Sequence, residues 1–344
     1  MNSTFSGTEF YSRQTVLAEL GVKGQEQLRR SKVSVIGLGG LGSVSALYLA
    51  LAGVGRLVLV DRDTVELNNL HRQVLYSLSD IRYPKVEAAA RRIQQVNPEV
   101  EIEPIPENLE ASNVDSVIAG SDCVVDGLDN METRYLINRY CVQNKIPFVF
   151  GGAIGMEGNV AVFRSPQTPC LECVLPGLSD VNLPTCDTRG VLGATTGIVG
   201  SIQAMEGIKV LSGIEPESAG KLLIFDFAQS EYRAISLTIR PDCEVCQVKP
   251  QTFAAYKRKP VWLCGSNTVN VSPEHSLSLD MRRLKESIGA KRRVLLSTPM
   301  ALVFDYNGHE ISLFRKGRML IKNVQNEEEA VVIFQEVMKM LKVQ

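Results

Sequence analysis

The chain has 344 residues, 44% of them hydrophobic, enough for one large α/β domain and a smaller unit with ordinary cores. A formal net charge of −1 excludes the basic surplus of a nucleic-acid or membrane-surface binder, and no apolar run is long enough to predict a bilayer span. The first residues carry no basic patch followed by an apolar stretch, so no signal peptide is expected and the predicted location is cytoplasmic.

Residues 32–36 (KVSVI) predict a strand that breaks at Gly37 and runs through Gly39, Gly40 and Gly42 into a helix over 41–52. A second strand, 56–60 (RLVLV), ends at Asp61. The alternation continues with a proline-opened helix over 84–96, a strand over 122–126, a helix over 131–144 and a strand over 147–150. Repeated βα units predict a doubly wound, Rossmann-like, mostly parallel sheet. From Gly151 the texture changes. Gly151, Gly152, Gly155 and Gly158 read as turns leading into a strand over 159–163, then a helix over 195–211 and strands over 222–227 and 233–240. A polar stretch over 251–259 reads as a linker after a first domain of residues 1–250. The remainder, 260–344, predicts a small α+β module with strands over 301–306, 310–314 and 318–321 and a helix from Glu327.

Two groups of residues carry chemistry. The G-x-G-x-x-G turn lets a backbone approach phosphates at a helix N-terminus, and an acid at the next strand's tip, Asp61, suits a ribose. That fingerprint fits NAD as well as ATP, and the same glycines can serve tight packing alone. Cys170/Cys173 and Cys243/Cys246 form two C-x-x-C knuckles with the spacing of a closed four-cysteine zinc site, which leaves no open position and would be structural. Two redox motifs are the alternative. Cys123 and Cys141 fall in apolar patterns and are expected in the core.

Around the glycine turn lie further motifs: YSRQ at 11–14, a run from Asp61 to Gln73 that includes Asn69-Leu70-His71-Arg72, a Pro84-Lys85 step, and Leu128-Asp129-Asn130. With both cysteine pairs, this set over about residues 10–248 resembles the MoeB/ThiF family (ThiF, MoeB and HesA), bacterial relatives of ubiquitin-activating enzymes. His71 departs from the usual glutamine while remaining polar. The resemblance implies ATP-dependent adenylation of the C-terminal carboxylate of a small ubiquitin-like β-grasp protein ending in Gly-Gly. It implies an ATP site built from Gly37, Gly39, Gly40, Gly42, Asp61, Asp63, Asn68, Asn69, Arg72, Gln73, Lys85, Asp129 and Asn130. Within it, Asp61 would hold the ribose, Asn69, Arg72 and Lys85 would surround the triphosphate, and Asp129 would coordinate Mg²⁺. Arg13 would reach the γ-phosphate from the neighbouring subunit of a homodimer. The carboxylate is already ionised near neutral pH, so no general base is required. Cys186, in a segment without clear regular structure, matches a cysteine that is covalent in some members during sulfur transfer from a donor protein and dispensable in others. Arg189 is a candidate to lower its pKa.

Some eukaryotic relatives carry a rhodanese domain at the C-terminus. Cys264 lacks the glycine-rich, basic loop such a domain needs and reads as a small buried residue, so the module is expected to recruit a protein partner. Two other classes stay open. An NAD-dependent dehydrogenase would use the same glycine turn but leave Arg13, Arg72, Lys85 and the cysteines without a purpose. A non-catalytic scaffold subunit would be expected to have lost those phosphate-contacting residues. Which ubiquitin-like protein and which pathway are involved, among molybdopterin, thiamine, tRNA thiolation, cysteine synthesis and protein tagging, is not written in these residues.

Overall fold

A computed structural model describes residues 5–180, 186–246, 260–263 and 267–341, the side chains of residues 186 and 187 excepted. The expected linker 251–259 and Cys264 lie outside the described residues. In chain order the elements are α1 (Gly7–Phe10), α2 (Ser12–Thr15), α3 (Gly21–Arg30), β1 (Lys32–Ile36), α4 (Gly40–Ala52), β2 (Arg56–Val60), α5 (Lys85–Val96), β3 (Glu101–Ile105), α6 (Val114–Ile118), β4 (Cys123–Asp126), α7 (Met131–Asn144), β5 (Phe148–Ile154), β6 (Glu157–Phe163), α8 (Leu171–Val174), α9 (Cys186–Arg189), α10 (Gly193–Ser212), β7 (Lys221–Asp226) and β8 (Glu231–Ser236). There follow β9 (Val261–Trp262), β10 (Thr268–Val271), α11 (Met281–Gly289), β11 (Val294–Ser297), β12 (Ala301–Tyr306), β13 (His309–Phe314), β14 (Met319–Lys322) and α12 (Glu327–Met340).

The first sheet has the order β3-β2-β1-β4-β5-β6-β7-β8. Pairing is parallel from β3 through β5 and antiparallel from β5 through β8. Alternate side chains of each central strand enter opposite cores, as the pleat requires. Val33, Val35, Leu57, Leu59 and Val125 pack with α3, α4, α5 and α10, while Ile36, Val58, Val60 and Val124 pack with α6 and α7. Both faces of the parallel half are therefore covered, which explains its near-continuous apolar runs. The chain order reverses between β1 and β4, so a crevice opens beyond their C-terminal ends.

The structure revises three expectations. Gly151 and Gly152 are not turn residues but lie inside β5, and the turn is at Gly155-Met156 between β5 and β6. A Cβ on Gly151 would lie 2.3 Å from the Gln203 amide, so glycine is there to let α10 approach the strand. β3 (EIEPI) escapes sequence reading because its proline is tolerated only at the sheet edge it occupies. The last first-sheet strand is shorter, at 231–236, and its side chains are exposed.

The second sheet is antiparallel, in the order β11-β12-β13-β14-β10-β9, with a core of its own against α11 and α12. Its β13–β14 hairpin is seated on the first sheet. Arg318 donates to the Pro106 carbonyl at 2.9 Å, just beyond β3.

Candidate functional site

The glycine turn is shaped by contacts that only hydrogen side chains permit. Gly37 has φ +87°, the left-handed region, and its missing Cβ would lie 2.6 Å from the Gly127 carbonyl, so the turns after β1 and β4 touch. A Cβ on Gly42 would lie 1.8 Å from the Gly37 carbonyl, and one on Gly40 would strike Thr196 of α10. At Gly39 an added Cβ would make only ordinary contacts, 3.8 Å from the Gly127 carbonyl and 4.0 Å from the Gln73 amide nitrogen, so the backbone in front of α4's N-terminus is uncrowded. That is a cradle for an anion.

Asp61 and Asp63 close one wall. Asp61 accepts from the Leu38 amide at 2.7 Å and from the Asp63 amide at 2.7 Å, tying the tip of β2 to the glycine turn. Burial raises the Asp61 carboxyl above the usual carboxylate range, against the pull of Lys85. Asp63 is also pushed up by burial, but Lys85, Arg62 and Arg318 outweigh it and hold it below that range. Lys85, at the first position of α5, donates to Asp63 at 3.1 Å. Burial works against its charge, yet Asp63, Asp61 and Asp129 hold its ammonium above the ordinary lysine value.

A short 3-10 turn over Leu67–Asn69 carries the next residues, with Glu66 and Asn69 bonding reciprocally across it. Arg72 donates back to the Asn68 carbonyl at 2.8 Å, and its guanidinium meets His71 Nε2 at 2.7 Å. Gln73 is buried, and its Oε1 has no partner among the described residues. A buried, unpaired amide oxygen beside a glycine turn suits a polar ligand better than a sealed core. On the far wall Asp129 is exposed, and Asn130 caps α7 by accepting from the Thr133 amide at 2.9 Å.

The structure therefore brings the glycines, Asp61, Asp63, Asn69, Gln73, Lys85 and Asp129 to one crevice at the chain-order reversal. It does not bring Arg13 there. Tyr11 packs on Gly53, and Gln14 donates to the Ala52 carbonyl at 3.3 Å, so α2 sits at the C-terminal end of α4. Thirteen helical residues, about 20 Å, separate exposed Arg13 from the glycine turn of its own chain.

Cys186 opens the helical turn α9 rather than an irregular segment, and its side chain is outside the described residues. Arg189 is engaged by Glu157 at 2.5 Å. Cys123 and Cys141 are buried in the core as expected. Arg134 is a site residue that motif reading missed. It pairs with buried Asp126 at 2.9 Å and donates to the carbonyls of Leu128 at 2.7 Å and Gly151 at 2.8 Å, bracing the Leu128-Asp129-Asn130 turn. The available signal was an arginine one turn into the helix after an acid-tipped strand.

Cys170, Cys173, Cys243 and Cys246 converge, with all four sulfurs within 4.8 Å of one another. Neighbouring separations of 3.4, 3.7 and 3.9 Å bracket the edge of about 3.8 Å expected for a tetrahedron with 2.3 Å Zn–S bonds. The donor set fits a structural zinc. Asn138 accepts from the Leu171 amide at 2.9 Å, and Arg139 grips Glu172 at 2.9 Å through both nitrogens, fixing the first knuckle on α7.

These features define a Rossmann-type nucleotide fold extended by antiparallel strands and closed by a four-cysteine site. Residues 11–245 match the ThiF family, and the chain belongs to that family. It is 42% identical over 242 residues to "Adenylyltransferase and sulfurtransferase MOCS3" of Culex quinquefasciatus, covering 70% of this chain and 55% of that one. The chain thus spans little more than half the length of such relatives. It is 41% identical to the "Sulfur carrier protein adenylyltransferase" of Thermus thermophilus over 70% of this chain and 91% of that one. With the "Molybdopterin-synthase adenylyltransferase" of Escherichia coli it shares 41% identity over 69% and 95%. Among solved structures it is similar to E. coli MccB with ATP, at a TM-score of 0.63 and 25% identity over 71% of this chain and 75% of that one. No helix among the described residues is long and apolar enough to cross a membrane.

Proposed function

We propose that the protein is an adenylyltransferase that uses ATP to activate the C-terminal glycine carboxylate of a small ubiquitin-like sulfur carrier in the cytoplasm. The observation that carries this reading is the crevice itself: an uncrowded glycine turn at a helix N-terminus, faced by the unpaired Gln73 amide oxygen and by Lys85, whose ammonium Asp63 and Asp61 favour. The names of the relatives support the same chemistry.

In the reaction the carboxylate oxygen forms a bond to the α-phosphorus of ATP, the bond from that phosphorus to the bridging oxygen breaks, and pyrophosphate leaves. No proton has to move. The chain's own contribution is positioning and charge. The amides at α4's N-terminus and Lys85 face the phosphates, Arg72 and Asn69 border them, and Asp61 stands where a ribose would lie. Mg²⁺, when bound by Asp129, would neutralise charge on the departing pyrophosphate. Arg13 lies too far from its own crevice to contribute there, which supports a homodimer in which it serves the partner's site. Residues 1–250 are the catalytic unit in this reading and 260–344 an added module. A sulfur donor protein would act on the adenylate afterwards, with Cys186 as the candidate covalent residue.

The test is ATP–pyrophosphate exchange with each small host protein ending in Gly-Gly, with Arg72→Ala as control. Exchange stimulated by one carrier and lost in the variant is the expected result. ATP binding without exchange by any carrier would sink the reading in favour of a scaffold subunit.

A further inference from the structure

Between β2 and α5 the chain runs through residues 61–84, 24 residues with no element longer than a three-residue turn. Asp61, Asp63, Asn68, Asn69, Arg72 and Gln73 all lie on it, and Lys85 follows it. Loops of this length seldom hold a shape by themselves. Internally it is pinned at one waist, where Val65 donates to Tyr83 at 2.8 Å and Arg82 to Val65 at 2.9 Å. Its own domain holds it through Val65, Leu75 and Tyr76, buried in the first-sheet core, through Tyr76 donating to the Leu38 carbonyl at 3.0 Å, and through Arg91, which pairs with Asp80. Further support comes from the second sheet, which lies beyond the residues matched to the ThiF family.

From that sheet Glu310 of β13 accepts from Arg82 at 2.8 Å, and Lys322 of β14 reaches Glu66 at 2.7 Å and Glu310 at 3.4 Å. Arg82 has φ 76°, a conformation that L-residues seldom adopt unless neighbours hold them. Glu66 is the residue that caps the turn carrying Asn69. Between these contacts Arg318, 5% exposed, is fixed by Asn270 at 3.0 Å, by the Pro106 carbonyl and by stacking on Phe314. Burial lowers its pKa to about 10, with Asp63, Glu107 and Asp61 opposing the fall. Lys316 reaches Glu107 at 2.5 Å, beyond β3.

We propose that the second sheet is a clamp on the nucleotide loop, with Glu310, Arg318 and Lys322 as positioning residues that hold Asn69 and Lys85 ready for the phosphates of ATP. None of the three touches the reacting atoms in this arrangement. The clamp orders the loop before ATP arrives, so its effect falls on ATP affinity and not on the rate at saturation. This inference rests on the nucleotide reading above, and its test separates the two.

ATP affinity and exchange kinetics are measured on the full chain for wild type, Glu310→Arg, Arg82→Glu and the double variant, with Lys322→Gln as a milder change. Each charge reversal is expected to raise the Kd and KM for ATP about tenfold with kcat within about twofold, and the double variant to regain most of that loss, in the range of couplings between contacting groups. Lys322→Gln is expected to raise Kd about threefold. Unchanged Kd in both reversals and in Lys322→Gln, or a rise that the double variant does not relieve, would overturn the clamp. Wild type that bound no ATP would instead overturn the nucleotide reading beneath it.

Discussion

Lys85→Met tests the electrostatics of the crevice most directly. The lysine side chain is buried, and it is the cation nearest Asp63. Its removal leaves Asp61 and Asp63 to face one another with Arg62 Nε at 3.8 Å and Arg318 nearby as the remaining positive charge. Deleting one partner of a buried pair costs about 3–5 kcal/mol, and with Arg62 left and Asp63 partly open the low end, about 3 kcal/mol, is expected at neutral pH. The pH dependence has a definite sign. In the wild type Asp63 lies below its ordinary value, so it stabilises the fold above about pH 4 and loses that contribution as pH falls through its folded value. In the variant both carboxyls move upward. A carboxyl raised in the folded state costs stability at neutral pH, and the cost fades as falling pH protonates it. Urea unfolding at about pH 7.5 and about pH 5.5, with zinc in the buffer, should therefore show the destabilisation shrinking to roughly half at the lower pH. A loss under about 1 kcal/mol, or one equal at both pH values, would refute the argument.

Cys173→Ser should lower zinc content from about one equivalent to a small fraction and reduce the unfolding temperature, read by metal analysis and calorimetry. A full zinc complement in that variant would place the metal elsewhere. Arg13→Ala and Lys85→Ala, each inactive in exchange, should recover about a quarter of wild-type activity when unfolded together and refolded as an equal mixture. Half the dimers would then be mixed, and each would hold one crevice with both residues intact. No recovery despite mixed dimers would count against a site completed across subunits.

In the parallel half β1, β2 and β4 were legible because each is largely buried on both faces and ends at or beside a residue with local meaning, Gly37, Asp61 or Asp126. The four-cysteine set was legible from spacing alone. What escaped depended on partners far along the chain. Gly151 reads as a turn until Gln203 is seen against it, and β3 reads as a loop until Pro104 is seen at an edge. Arg134 looks like an ordinary helix charge until buried Asp126 is seen beside it, and Arg139 and Glu172 until each is seen against the other. In the second sheet the periodicity of β12, β13 and β14 was visible, whereas α11 went unread. Its Met281 and Ile288 are buried while its arginines face outward. The expectation of Cys186 in an irregular segment failed because four residues are too few to show a helical period.

The knuckles have a further consequence for how the chain reaches its fold. Cys173 and Cys243 are 70 positions apart, and the segment between them includes α10, β7 and β8. A metal joining them closes a ring in the unfolded chain. For a ring of this size the lost loop freedom corresponds to about 4 kcal/mol, the model value for a covalent cross-link and thus an upper figure here. The strands of the parallel half, β1 to β5, all lie before the ring and gain nothing directly from that closure. The antiparallel half gains nearly all of it, so the order of assembly is expected to run from β1–β5 outward, with β7 and β8 joining last and most dependent on the ion.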